Sequence, residues 1–88
     1  MNEDVLLIKT RKLLDLTQEN VANRAKMSRY TYATFENGYY TYKSEGKRLA
    51  VCLKIKVALE ELIAEEKNPT WQKYATKYFK EWCESKGI

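Results

Sequence analysis

The chain has 88 residues, of which 44% are hydrophobic and 32% charged, and its formal net charge at pH 7 is +4. This length predicts one small domain, and this composition predicts a folded chain rather than a disordered one. The excess of basic residues is compatible with a nucleic-acid partner but does not by itself identify one.

Histidine is absent from the sequence, which excludes His-based zinc sites, Ser-His-Asp triads and Cys-His dyads. The two cysteines, Cys52 and Cys83, are too few for a disulfide framework or a four-cysteine zinc site, and we expect them to be reduced core thiols. There is also no Gly-rich phosphate loop. The sequence therefore predicts a protein that is not an enzyme and that uses no metal and no cofactor.

Two features bear on the compartment. The sequence opens with Asn2, Glu3 and Asp4, which are not basic as the start of a secretory signal peptide would be. The apolar run over residues 5–8 is far shorter than a membrane span. Together with the expected reduced cysteines, these features predict a cytoplasmic protein without membrane contact.

Apolar periodicity and capping residues predict an all-α fold of five helices, and the low content of glycine and proline argues against an all-β fold. The helices are predicted over about residues 3–14, 17–26, 29–37, 45–66 and from 69 onwards. Side chains that can accept hydrogen bonds from free backbone N–H groups are predicted as N-caps: Asn2, Thr17, Ser28 and Asn68. Gly38 is predicted to end the third helix in the left-handed conformation.

The same periodicity predicts which faces are buried. Val21, Ala22 and Ala25 are predicted to point inward from the second helix, and Tyr32 and Phe35 from the third. The fourth helix has apolar residues around more than one face, so we expect it to be buried on two sides. The fifth helix carries an amphipathic stripe: Trp71, Tyr74, Ala75, Tyr78, Phe79, Trp82 and Cys83.

The second and third predicted helices, joined by a turn of three or four residues, are typical of a helix-turn-helix unit. Such a unit can place the start of its second helix in the major groove of DNA. The residues that carry this pattern are Leu16-Thr17-Gln18-Glu19, Ala22, Met27-Ser28 and Phe35-Glu36-Asn37-Gly38. With this spacing the chain resembles the lambda repressor-like (Xre-type) helix-turn-helix family over roughly residues 5–60, most specifically over 16–38.

The resemblance implies a role for each matching position. The base-reading positions of the third helix are occupied by Arg29, Tyr30 and Thr34. Phosphate contacts are implied for Gln18 and Asn37. Further contacts with the DNA backbone are candidate roles for three basic residues that follow the third helix: Lys43, Lys47 and Arg48. Arg11 and Glu36 hold the places of a structural ion pair.

Most of these roles have a plainer alternative. Arg29 could be a solvated surface residue, and Gln18 could serve only the capping network of its own helix. The basic residues after the third helix could form a hydrated loop. Tyr39, Tyr40 and Tyr42 could stack unpaired bases of a single strand, or pack at the edge of the domain.

Three positions depart from the pattern of the family. Lys26 stands in the turn where glycine is usual, so we expect an altered or strained turn. Asp15 stands after the first helix where a small residue is usual, although aspartate also suits turns. Tyr32 replaces a branched aliphatic residue, and its hydroxyl group needs a partner if it is buried.

The aromatic stripe of the fifth helix has two interpretations. It can pack against the first and fourth helices of its own chain, or it can form half of a two-fold dimer interface. We favour the dimer, built from the fourth and fifth helices, because aromatic residues are enriched in interface cores and the domain is small. The predicted interface residues are Trp71, Tyr74, Tyr78, Phe79 and Trp82.

The sequence thus predicts a DNA-binding domain at residues 1–66, with its helix-turn-helix unit at 17–38, and a C-terminal helix at 67–88 for packing or dimerisation. The expected function is that of a homodimeric repressor that binds double-stranded DNA at a palindromic operator through residues 29–37. Two alternatives remain: an antitoxin that uses the same fold and also binds a protein toxin, and a protein-interaction or single-strand-binding module that does not read duplex DNA.

Overall fold

The structure, a computed structural model, describes residues 3–39 and 43–88. Over these residues the secondary structure is entirely helical, which confirms the all-α prediction. The five helices are α1 (Val5–Leu13), α2 (Gln18–Arg24), α3 (Arg29–Glu36), α4 (Glu45–Ala64) and α5 (Pro69–Lys86). Asn2, Tyr40 and Tyr42, which carried predictions, lie outside the described residues.

Three of the predicted N-caps are confirmed. The Thr17 hydroxyl accepts a hydrogen bond from the backbone N–H of Asn20, whose side chain accepts one from the backbone of Thr17 in return. Ser28 caps α3, and Asn68 caps α5 with Pro69 in its first turn. These caps use only side chains and backbone groups within three residues, so the local sequence is sufficient to specify them.

The N-cap of α1 is Asp4, so the prediction that Asn2 caps this helix is wrong. The Asp4 carboxylate accepts a hydrogen bond from the backbone N–H of Leu7. It also accepts one from the indole Nε1–H of Trp82 at 2.8 Å and lies 3.1 Å from Nζ of Lys86. The last turns of α5 therefore fix where α1 begins. The C-terminal end of α5 packs beside the N-terminal end of α1.

All five helices contribute to the main core. Its buried residues are Leu7, Val21, Ala22, Tyr32, Phe35, Cys52, Ile55, Leu59, Trp82 and Cys83. A smaller cluster of Leu14, Ile63 and Ala75 joins α1, α4 and α5. The inward positions predicted for α2 and α3 are confirmed, and α5 shares one core with the residues that precede it. In the described ranges 3–39 and 43–88, none of the five helices has the length and apolar composition that a membrane span requires.

Helix α4 is buried on one side rather than on two, so the prediction of two buried sides is wrong for the single chain. Cys52, Ile55 and Leu59 face the core and are fully buried. On the opposite side, Leu53 and Val57 are exposed. The second apolar face of α4 is therefore real, but α1, α2 and α5 do not cover it.

The turns before α2 and before α3 contain residues in the left-handed region. Asp15 has a φ of 55° and Lys26 a φ of 60°, and Gly38 after α3 has a φ of 79°. The strain expected at Lys26 is therefore strain of its backbone, because a residue with a Cβ atom is disfavoured in the left-handed region.

We expect Lys26→Gly to raise the free energy of unfolding by roughly 0.5–1 kcal/mol, since relief of the left-handed strain exceeds the entropic cost of glycine. Urea denaturation followed by circular dichroism measures this change. Lys26→Ala is the matched control, because it removes the same side chain but keeps the Cβ atom, and it should give no such gain. Equal stability of the two variants would contradict the interpretation.

Candidate nucleic-acid interface

Helices α2 and α3 form a unit whose inner side is fixed to the core. Residues 25–28 join them, and the backbone N–H of Met27 donates to the carbonyl of Ala22 at 3.0 Å. Val21 and Ala22 of α2, and Tyr32 and Phe35 of α3, are buried in the same cluster. Because these residues are buried, the opposite face of α3 is directed towards solvent.

The exposed start of α3 carries two of the predicted base-reading residues. Arg29 is exposed and forms no ion pair with any residue that the structure describes. Tyr30 is 79% exposed, more than any other large hydrophobic residue in the described part of the chain. Asn37, predicted to contact phosphate, is also exposed, at the C-terminal end of α3. These three side chains are available to a ligand.

Thr34, the third predicted base-reading residue, is half-buried and bonded within its own helix. Its hydroxyl donates to the carbonyl oxygens of Tyr30 at 3.0 Å and of Thr31 at 2.9 Å. With its only hydrogen used in this way, Thr34 can offer a ligand a lone pair or a methyl group but no hydrogen-bond donor.

A buried ion pair connects α1 to the last turn of α3. The Arg11 guanidinium donates from Nε and Nη2 to the two carboxylate oxygens of Glu36, both at 2.8 Å, and from Nη1 to the carbonyl of Leu16 at 2.9 Å. The predicted Arg11–Glu36 pair is therefore present. Because it is bidentate and buried, it fixes the end of α3 relative to α1 and to the turn before α2.

Gln18, predicted to contact DNA phosphate, takes part in this cluster. Its Nε2 group donates to Oε1 of Glu36 at 3.1 Å. This bond connects the first turn of α2 to the last turn of α3, and it leaves the second N–H of the amide to donate elsewhere. The phosphate role of Gln18 stays a prediction, and its bond to Glu36 supplies a bracing role within the unit.

The surroundings of Glu36 set its charge state. Burial alone would raise the pKa of its carboxyl group, but the hydrogen bonds from Arg11 and Gln18 and the neighbouring Tyr32 hydroxyl outweigh burial and lower it. The Tyr32 hydroxyl is itself buried beside Glu36 without a hydrogen bond of ordinary geometry to the described residues. Burial, reinforced by the Glu36 carboxylate, raises the pKa of Tyr32, so this hydroxyl stays protonated.

The three basic residues after α3 differ in their availability. Lys43 and Lys47 are exposed. Arg48 instead donates to the Glu45 carboxylate at 2.8 Å and to the backbone carbonyl of Lys86 at 3.4 Å. Arg48 therefore connects the start of α4 to the end of α5, and Lys43 and Lys47 are the remaining candidates for phosphate contacts.

Among the described residues, no group of His, Cys, Asp or Glu side chains could hold a metal ion.

Trp82 belongs to the core, so its assignment to a dimer interface is wrong. It is fully buried within its own chain. Its ring meets Phe35 edge-on, with centroids 6.5 Å apart, and stacks on Phe79 at 6.3 Å. Phe79 is partly buried against the same core. This half of the aromatic stripe packs in its own chain, which was the alternative interpretation.

The other half of the stripe is more open. Trp71 and Tyr74 are 47% and 46% exposed. Tyr78 is half-buried, and Nζ of Lys9 lies 5.6 Å from the centre of its ring. The part of the aromatic stripe that remains open to a partner is thus confined to the N-terminal part of the helix.

The outer face of α4 is a candidate surface whose individual residues were not among the predicted interface residues. Leu49, Leu53 and Val57 are exposed there. The two apolar faces of the helix gave the signal, and α4 was included in the predicted dimer, but the predicted interface residues were all taken from α5.

Comparison of the chain with protein-family models, with curated proteins and with solved structures gave no match. What the chain does is therefore inferred from its own residues and their arrangement.

Proposed function

We propose that this chain is a sequence-specific regulator that binds double-stranded DNA and reads base edges through the exposed start of α3. The observation that supports this most directly is the contrast between the two sides of α3. Tyr32, Phe35 and Glu36 hold one side in the core, while Arg29 and Tyr30 stand exposed on the first turn. A helix fixed in this way presents side chains to the major groove without reordering its own backbone.

The chemistry of the exposed residues fits this role. Arginine at the start of a recognition helix can donate two hydrogen bonds to one guanine, which is worth about 1–3 kcal/mol of discrimination against other bases. Tyr30 can contact a thymine methyl group or a phosphate. Gln18, Asn37 and the lysines at 43 and 47 can contact phosphates, which adds affinity without sequence preference.

The resemblance to the lambda repressor-like family extends the proposal to a homodimeric repressor that acts in the cytoplasm. Two copies related by a two-fold axis would present two α3 helices about 34 Å apart, the spacing of successive major grooves on one face of DNA. The matching operator is a palindrome. The two free cysteines are buried, as expected of thiols that stay reduced.

Selection of bound sequences from a random duplex pool, with a single-stranded competitor in a parallel gel shift, tests the proposed ligand. On the selected operator, we expect Arg29→Ala to lose discrimination among base variants by about 1–3 kcal/mol. Gln18→Ala should weaken binding about equally for all sequences. Lys80→Ala, an exposed cation on the outer side of α5, is the control and should bind as wild type does.

Two results would contradict the proposal. One is preferential binding of the single-stranded competitor, which would favour base stacking on exposed tyrosines such as Tyr39. The other is an Arg29→Ala variant that binds the native operator as tightly and as selectively as wild type does, because base reading would then lie elsewhere.

The antitoxin role is a second candidate, favoured by the half-exposed Trp71 and Tyr74 on α5. Half-exposed aromatic residues are frequent anchors of protein interfaces. A toxin-like reading frame beside the gene, whose product binds the wild-type chain and not Trp71→Ala, would support this role.

A further inference from the structure

The outer face of α4 has the spacing of a helix–helix seam. Small and apolar residues recur there at alternating intervals of four and three, and all of them are exposed: Gly46, Ala50, Leu53, Val57 and Ala64. We refer to these residues as the outer stripe. Only Glu60 interrupts the repeat. Such a repeat is the pattern with which one helix meets a second helix along its length, yet in the single chain Leu53 and Val57 remain 42% and 55% exposed.

The outer stripe borders an open groove of about 1010 Å³ between α2 and α4. Leu16, Ala25 and Leu62 also line this groove, together with Ala50, Leu53 and Val57 of α4. Across it, the Arg24 guanidinium of α2 pairs with the carboxylates of Glu61 on α4 and of Glu65, the C-cap of that helix. These are surface ion pairs at the edge of the groove, and the groove itself has space for apolar side chains from another helix.

The charges of α4 are segregated along its length. The first part carries four cations, Lys47, Arg48, Lys54 and Lys56, and one carboxylate, Glu45, which pairs with Arg48. Carboxylates occupy its C-terminal end, Glu60 and Glu61, and the two residues that follow Ala64, Glu65 and Glu66. Lys47, Lys54 and Glu61 follow one another at seven-residue spacing, so they share the edge of the helix that borders the groove. The helix that best complements this pattern is one whose charges run in the opposite direction.

We propose that the outer stripe of α4 is the self-association surface of this protein, and that its occupant is α4 of a second copy lying antiparallel across a two-fold axis. In this orientation the cationic end of each helix meets the acidic end of the other, and Lys54 lies opposite the partner's Glu61. The helix dipoles also oppose each other. In a parallel orientation the like-charged ends would meet.

This inference deepens the proposed function, because it assigns the surface that joins the two copies expected at a palindrome. It also places the dimer contact on α4 instead of the aromatic stripe of α5. The measurement that tests it needs no DNA. A monomer that still binds its operator would therefore contradict this inference alone, and a dimer that binds no DNA would contradict only the proposed function.

Sedimentation equilibrium of the full chain tests the surface. We expect the wild type to dimerise, and Val57→Lys to raise the dimer dissociation constant at least about 30-fold, as for a central interface residue. Leu53→Lys should act in the same way. Both side chains are exposed in the single chain, so the helical signal in circular dichroism should be unchanged.

Tyr74→Lys is the matched control, since Tyr74 is similarly exposed, at 46%, but lies on the competing surface of α5. It should dimerise as wild type does. A wild-type chain that stays monomeric at all accessible concentrations would overturn the inference, and so would dissociation by Tyr74→Lys with an unaffected Val57→Lys.

The orientation has its own test. We expect Lys54→Glu to weaken the dimer roughly five-fold, because it places two carboxylates together at each of two symmetric contacts. The double variant Lys54→Glu/Glu61→Lys should restore wild-type association at low salt. Without that restoration, the antiparallel arrangement would be wrong.

Discussion

Glu36→Gln is expected to lower the free energy of unfolding by about 3–5 kcal/mol, the range for breaking a buried ion pair by removing one partner. The substitution keeps the shape of the side chain but removes the charge that balances Arg11, whose guanidinium donates two 2.8 Å hydrogen bonds to this carboxylate. The guanidinium would then be held in the interior without a counter-charge. Urea denaturation at neutral pH measures the loss.

The matched control is Glu65→Gln, which removes a carboxylate that also pairs with an arginine, Arg24, but at the exposed surface. We expect little change in stability, because water screens that pair. If the two variants unfold at the same urea concentration, the Arg11–Glu36 pair does not contribute in the way its burial implies.

The same pair predicts how stability depends on pH. Burial alone would raise the pKa of Glu36, but the hydrogen bonds of Arg11 and its neighbours lower it below the ordinary value of 4.5. A carboxyl group whose pKa is lower in the folded state stabilises the fold above its unfolded pKa, and this stabilisation is lost as the pH falls through the folded pKa. Wild-type stability should therefore decline below about pH 4.5, and the decline should be weaker in Glu36→Gln.

The sequence predicted the parts of the structure whose causes are local. The caps Thr17, Ser28 and Asn68 bond to backbone groups within three residues, and their helices begin as predicted. The start of α1 was misplaced because Asp4 is fixed by Trp82, a contact that spans 78 positions of the chain. Local patterns do not specify such a contact, because it exists only once α5 has packed against α1.

The same limit applies to the apolar faces of α4 and α5. Periodicity showed which residues share a face, but not whether the chain itself or another molecule covers that face. The structure divides the two cases differently from the prediction. Trp82 of α5 is covered by its own chain, while Leu53 and Val57 of α4 are not. At the candidate DNA interface, Arg29 and Tyr30 are exposed, as their predicted role requires, but the sequence did not indicate the bond between Gln18 and Glu36.

Trp82→Ala is expected to lower the free energy of unfolding by about 3–5 kcal/mol, as for other fully buried aromatic residues. The substitution opens a cavity where α1, α3 and α5 meet, since the ring contacts Phe35 and Phe79. It also removes the indole N–H that donates to Asp4 at 2.8 Å, and with it one of the contacts that fix the start of α1. For a domain of this size that loss is a large share of the total stability.

Thermal and urea denaturation of Trp82→Ala beside Trp71→Ala measures the effect. Trp71 is the matched control, because it lies on the same helix and is 47% exposed, so its removal should change stability far less. The contrast also separates the two interpretations of the aromatic stripe. If Trp82 packs in its own chain, its replacement destabilises the fold equally at all protein concentrations, whereas an interface residue would act in a concentration-dependent way. A Trp82→Ala variant as stable as Trp71→Ala would mean that the Trp82 ring does not stabilise the core as its burial implies.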